Sequence, residues 1–221
     1  MEVENSKIPF TNVSHLTLRR NLGILGISLP VILYVGNCFC AMPSISAFYY
    51  SQLSVVFTGY LFAFGLFLFS YKGYNKEDDE KVSDNWLTNI AGILIVLVAL
   101  IPTRICDVCT IAAPNEHNSS LWNWIHTISA ASFLVIMGWM AYTQFTKTNL
   151  PIMDNLKLKR NKIYRFCAWG VWIPIVLMGI LNFGLKLNFT GVDVFIGESV
   201  ALFSFGVAWL VKSKALEKYG V

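Results

Sequence analysis

Residues 55–71 read VVFTGYLFAFGLFLFSY, a run of seventeen positions without one charged side chain. A helix needs about 20 apolar residues to cross a bilayer, and this run nearly reaches that length. Over the whole chain 55% of residues are hydrophobic and 14% are charged, whereas a soluble domain usually carries about 25% charged residues. The composition argues against a disordered chain, a collagen-like repeat and a soluble enzyme, and it predicts a polytopic membrane protein.

Five further apolar stretches surround this run and are separated by short polar segments. Together they predict an all-α fold, a bundle of six transmembrane helices. The predicted helices cover about residues 22–41, 53–71, 87–103, 122–145, 166–183 and 194–211. No segment between them is large enough to form its own core, so we expect a single transmembrane domain over residues 1–221.

The distribution of Lys and Arg predicts the orientation of the helices. If the N-terminus is cytoplasmic, 15 of the 17 basic residues fall on the inner side, and only Arg104 and Lys186 fall outside. Cytoplasmic loops carry an excess of Lys and Arg, so both termini are expected in the cytoplasm and the protein in the cell membrane. This topology accounts for the net charge of +4, and no nucleic-acid partner is needed to explain it. The expected partner is membrane lipid, and the sequence does not predict an oligomeric state.

Glu198 and His126 lie inside the predicted helices, where a charge costs about 2.5–3.5 kcal/mol even on the most lenient insertion scale, and Arg104 directly follows one of them. Glu198 lies roughly 7 Å into the sixth helix and His126 roughly 6 Å into the fourth, at 1.5 Å per residue. Arg104 closes the outer end of the third helix. We therefore predict that the three side chains lie at a similar depth, in the outer third of the bilayer.

Small residues line the helix faces that carry His126 and Glu198, which suits inward-facing positions. We predict an outward-facing polar pocket that contains both residues and Arg104 and binds a lipid head group or a small polar ligand, in a transporter-like or sensory protein. The rim of this pocket is predicted to hold Ser44, Ser46, Tyr49, Tyr50, Asp107, Trp122 and Trp124. The alternative is a buried Glu198–Arg104 ion pair that only fixes helix register.

Two other functions stay open on the sequence, a membrane-embedded hydrolase or transferase acting on lipid and a structural subunit of a membrane complex. In the enzyme, Glu198 would be the general base and His126 the acid or a ligand. Of the three histidines, His15 is predicted on the opposite side of the membrane from His117 and His126, and H-E-x-x-H is absent. We therefore predict no metal site and no cofactor.

Four of the five cysteines map to the outer side of the predicted topology. Cys38 and Cys40 end the first helix, and Cys106 and Cys109 follow the third. Cysteines in an oxidising compartment favour disulfides. The spacing is compatible with a bridge between the two pairs or within Cys106–Cys109, and with free thiols or redox chemistry.

Three segments carry a resemblance to known sequences. These are PSISAFYYSQLSVVFTGYLFAFGLFLFSYKGY (Pro43 to Tyr74), RNKIYR (Arg160 to Arg165) and ESVALFSFGVAWLVK (Glu198 to Lys212). They resemble a family of small bacterial integral membrane proteins with six helices and uncharacterised function. The resemblance implies the six-helix fold and directs attention to the Ser/Tyr segment and Glu198.

Overall fold

The computed structural model of the chain describes residues 10–73, 82–103, 120–148, 154–185, 187 and 189–216. Within these ranges all regular structure is helical. The six long helices are α1 (Phe10–Gly36), α2 (Ser54–Ser70), α3 (Asp84–Leu100), α4 (Ser120–Trp139), α5 (Asn155–Met178) and α6 (Asp193–Lys212). A short 3-10 helix (Ser46–Tyr50) precedes α2, and π-helical turns (Met140–Gln144 and Gly179–Gly184) extend α4 and α5. The predicted all-α fold with six helices is confirmed over the described ranges.

The first and fifth helices begin well before the predicted positions. α1 starts at Phe10 and not near residue 22, and α5 starts at Asn155 and not near residue 166. The prediction counted apolar residues and therefore stopped at the Lys and Arg clusters. Lys and Arg are good helix formers, and the added part of α5 also buries Tyr164. The polar segments thus extend these two helices. The other helix bounds, with the π-helical turns included, agree with the prediction within about three residues, except the end of α1.

α1 ends at Gly36, about five residues before the predicted end at residue 41. Cys38 and Phe39 adopt left-handed backbone conformations, with φ of 54° and 62°. A right-handed helix cannot continue through such residues. The Phe39 N–H instead donates to the carbonyl of Tyr34 at 2.9 Å, which closes the last turn of α1. After this turn the chain changes direction, and Pro43 reaches the start of α6.

Four helical segments are long and apolar enough to cross a membrane, judged by length and composition. They are His15–Gly36, Leu121–Gln144, Asn155–Asn182 and Asp193–Lys212. The other two helices, α2 and α3, are apolar but have only 17 residues each. Large apolar side chains are exposed on several helices, among them Val55 (79% exposed), Leu66 (66%) and Phe166 (79%). An exposed apolar belt of this extent is typical of a surface that faces lipid.

The six helices form a closed ring. Each helix packs against its neighbours in sequence, and α6 packs back onto α1. The α1–α6 and α5–α6 contacts are the most extensive, whereas α4 and α6 contact each other at only a few positions. A gap is therefore left between α4 and α6 on the inner side of α5.

One stripe of α6 faces the axis of this ring. It consists of Glu198, Leu202, Phe205, Trp209 and Lys212, at helical spacings of four, three, four and three residues. Side chains at such spacings lie on one face of a helix. Because a helix rises 1.5 Å per residue, the acid and the amine are roughly 21 Å apart along the axis. We call the two ends of the ring the Glu198 end and the Lys212 end.

Aromatic rings fill the middle of the axis. Phe64, Phe133 and Phe205 come from three different helices, and their ring centroids lie 5.6–6.4 Å apart. Aromatic pairs at such distances stabilise a core beyond the area that they bury. The two charged ends of the α6 stripe are thus separated by tightly packed apolar side chains.

Glycines bring α1 and α6 into close contact. A Cβ atom added at Gly206 would lie 2.7 Å from the carbonyl oxygen of Gly23 and 3.0 Å from the backbone nitrogen of Ile27. Small residues at interhelical contacts are typical of helix packing in membranes, where close van der Waals contact drives association. Closure of the ring therefore depends on glycine at position 206, which has no side chain to hold the two helices apart.

Candidate functional site

The segment after α1 is fixed to the first two turns of α6 by hydrogen bonds of two backbone N–H groups. The Phe195 N–H donates to the carbonyl of Pro43 at 3.1 Å, and the Ile45 N–H donates to Oε2 of Glu198 at 2.5 Å. The amide of Ser46 also interacts with this carboxylate. Ser44 Oγ accepts from the Ala47 N–H at 3.0 Å, and Glu198 is the acceptor for the N–H of Ile45, the N-cap of the 3-10 helix. One role of Glu198 is therefore to anchor residues 43–46.

His126 anchors the start of α4 to the end of α3. Its side chain is 4% exposed, and its Nδ1 lies 2.5 Å from the carbonyl oxygen of Ile101. A carbonyl oxygen can only accept, so this contact assigns the proton of a neutral imidazole to Nδ1. Nε2 then carries a lone pair and is a hydrogen-bond acceptor.

A cavity of about 410 Å³ lies at the Glu198 end, in the gap between α4, α5 and α6. Eight of its lining residues are polar: Ser44, Ser46, Thr103, Asn123, His126, Thr127, Asn182 and Glu198. The remaining residues are apolar or aromatic: Pro43, Trp124, Ala130, Ala131, Leu134, Ile175, Met178, Gly179 and Val194. A cavity with apolar walls and a few converging polar groups is the usual form of a small-molecule site.

A second, smaller cavity of about 50 Å³ lies deeper in the ring. Its walls are mostly apolar, and it reaches the aromatic side chains of the axis, including Phe64 and Phe133. Ser46, Ala130, Leu134 and Glu198 line both cavities. The polar cavity is therefore followed by an apolar recess, with Glu198 where they meet.

The structure brings half of the ten predicted pocket and rim residues together; Trp122 does not line the cavity, and Asp107 lies outside the described residues. Glu198, His126, Ser44, Ser46 and Trp124 all line the larger cavity, although they come from three separate parts of the chain.

The two predicted tyrosines do not line this cavity. The Tyr50 hydroxyl donates to the carbonyl oxygen of Thr103 at 2.7 Å, and Tyr49 packs edge-on against Tyr50 with centroids 5.2 Å apart. Their prediction as ligand-binding residues assumed that the whole Ser/Tyr segment faces the pocket. The 3-10 helix instead turns both rings away from the cavity lining, and Tyr50 connects the start of α2 to the end of α3. Arg104 lies outside the described residues.

Several cavity residues were missed from the sequence. Thr127 follows His126 directly, Asn123 lies one turn before it, and Asn182 is a polar residue near the end of the fifth apolar stretch. Asn182 carried a usable signal, because an amide inside an apolar stretch is costly to bury. Thr103 carried none, since a threonine at a helix end is common in any helix.

The four cysteines predicted on the outer side divide between described and undescribed parts of the chain. Cys38 and Cys40 are exposed free thiols, and Cys106 and Cys109 lie outside the described residues. A bridge involving the latter two stays a prediction. Among the described side chains, no three His, Cys, Asp or Glu residues form a group that could hold a metal ion.

The Lys212 end is a buried cationic and aromatic cluster. Lys212 is 8% exposed and donates to the carbonyl of Phe145 at 3.5 Å. Trp209 lies beside it, with the rings of Tyr71 and Phe145 each 5.0 Å away and edge-on. The guanidinium of Arg19 lies 5.5 Å from the Tyr71 ring centroid, within cation–π range. Two basic residues that indicated topology in the sequence thus also connect helices: Arg19 connects α1 to the end of α2, and Lys212 connects α6 to Phe145 after α4.

Comparison of the chain with protein-family models, with curated proteins and with solved structures found no match. The functional argument therefore rests on the geometry of the site.

Proposed function

We propose that this chain is an integral membrane protein with six spans that binds a lipid head group or a small polar ligand in the cavity at the Glu198 end. The observation that carries the proposal is that His126 and Glu198, 72 residues apart in the sequence, line one cavity of about 410 Å³. Polar side chains in a bundle of apolar helices are costly, and they usually mark a binding or transport site.

The proposed topology has both termini in the cytoplasm and the Glu198 end facing outward. Its support is the 15 to 2 distribution of basic residues, which follows the positive-inside rule. α2 and α3 belong to the same ring as the four longer helices. This supports six spans over four, since helices packed side by side in one ring are expected to lie in the bilayer together. Membership of the uncharacterised six-helix family is part of the same proposal.

Ligand binding is favoured over permeation by the filling of the axis. Below the apolar recess, Phe64, Phe133 and Phe205 pack in mutual contact. A ligand that enters from the Glu198 end would therefore be held there. In a sensory protein, its presence would be transmitted by the helices that line the cavity.

The proposal is tested by native mass spectrometry of the full chain purified in mild detergent. The wild type is expected to retain a ligand. Ala131→Trp, which fills the cavity lined by Ala131, is expected to lose it. Ile128→Trp is the matched control, because Ile128 lies on the same helix and is 58% exposed on the outer surface. Equal spectra for wild type and Ala131→Trp, with no added lipid or polar compound retained, would favour a structural subunit.

A further inference from the structure

The described lining of the larger cavity is rich in hydrogen-bond acceptors. Glu198 contributes a carboxylate, and His126 contributes Nε2 because its Nδ1 faces the carbonyl of Ile101. Asn123 and Asn182, whose amides carry both donors and acceptors, and the aromatic ring of Trp124 complete this part of the lining. Aromatic faces attract cations. Among the described lining residues the carboxylate is the only charged group, and there is no Lys or Arg.

We infer that the group recognised by this site is a protonated amine, held by Glu198 and His126, on a molecule that also carries a short hydrocarbon segment. This inference rests on the proposed function and specifies its ligand. An ammonium donates to both acceptors, whereas a phosphate or carboxylate in the same place would face the Glu198 charge. A buried carboxylate is costly unless it is paired, and the ammonium supplies the opposite charge.

The apolar recess accounts for the hydrocarbon segment. It adjoins the larger cavity through Ser46, Ala130, Leu134 and Glu198 and has a volume of about 50 Å³, which suits a short hydrocarbon segment. An amphiphile with its ammonium at Glu198 can therefore place carbon atoms against Leu202 and Phe64. The amine can belong to a lipid head group or to a free amphiphilic amine, and these two sources are separated by experiment.

Glu198→Gln is the informative variant. The amide oxygen of Gln still accepts from the Ile45 N–H, so the anchor of residues 43–46 is retained while the negative charge is lost. A pair of soluble probes tests the same point on the wild type alone. Octylamine and 1-octanol have the same chain and differ in the ammonium.

The experiment measures binding to the full-length protein in detergent by native mass spectrometry and thermal shift. The probes are dioctanoyl phosphatidylethanolamine, dioctanoyl phosphatidylglycerol, octylamine and 1-octanol. We expect an amine probe to bind the wild type about tenfold or more tightly than its amine-free partner, and to lose about the same factor with Glu198→Gln. Binding of phosphatidylethanolamine alone identifies a lipid head group, and binding of octylamine alone identifies a free amine.

Two results overturn the inference in different ways. In the first, Ala131→Trp abolishes binding, but the amine-free probes bind as well as the amines or Glu198→Gln leaves amine binding unchanged. The ammonium assignment then fails, and the pocket stands. If no probe binds in a way that Ala131→Trp blocks, the proposed function fails together with this inference.

Discussion

At the scale of single residues, Glu198 has two structural roles. Its carboxylate satisfies the backbone amides that begin the 3-10 helix, and it also lines the cavity. Unsatisfied backbone amides in an apolar environment are costly. The sequence showed that Glu198 lies within an apolar stretch, but not that its partner is a backbone amide 153 positions away in the chain.

We predict that Glu198→Ala destabilises the protein and Glu198→Gln does so much less. Alanine leaves the Ile45 amide without its acceptor, which costs about 1–3 kcal/mol, whereas Gln retains an acceptor oxygen. Thermal unfolding of both variants in the same detergent measures the difference. Equal melting temperatures for the two variants would show that the anchor contributes nothing.

At the scale of elements, the α1–α6 contact closes the ring and depends on glycine. Gly206 and Gly23 allow the two backbones to approach within van der Waals contact. The sequence predicted both helices but not this pairing, because small residues occur on several faces of several helices. Only the packed ring shows which glycines face a backbone.

Gly206→Ala is expected to destabilise the bundle by about 1–3 kcal/mol, the usual cost of overpacking a core. Its Cβ would meet the Gly23 carbonyl oxygen at 2.7 Å, and a backbone atom cannot move aside as a flexible side chain can. Gly59→Ala is the matched control in α2, because a Cβ there meets nothing within 4 Å. The control is expected to be neutral or slightly stabilising, since Ala favours helix over Gly by about 1 kcal/mol. Melting temperatures in detergent compare the two, and a larger loss for Gly59→Ala would contradict the prediction.

At the scale of the whole molecule, the ring places a polar cavity at one end and a cationic cluster at the other. The filled axis between them, with Phe205 and Trp209 both buried, keeps the two ends separate. Together with the charge distribution, this arrangement supports the proposed direction of the protein in a bilayer.

We predict that a membrane-impermeant maleimide labels Cys38 and Cys40 in intact cells. Both thiols are exposed at the Glu198 end, which the proposed topology places outside. The experiment uses a Cys106→Ser, Cys109→Ser background to remove the other outward thiols. A second variant also has Cys38 and Cys40 changed to Ser and carries Lys214→Cys. Its new thiol is expected to react only after permeabilisation, because residue 214 is exposed just beyond the Lys212 end. The reverse labelling pattern would invert the topology.

The sequence by itself determined the helical class, the number of helices and the approximate positions of His126 and Glu198 along their helices, because long apolar runs and helical rise are local properties of the chain. The starts of α1 and α5 were predicted too late in the chain, since charged residues can continue a helix beyond its apolar part. Which faces meet was decided only by tertiary packing. The ring brings residues 43–46, α4 and α6 around one cavity and turns Tyr49 and Tyr50 away from it, because the close α1–α6 contact and the gap between α4 and α6 are properties of all six helices together.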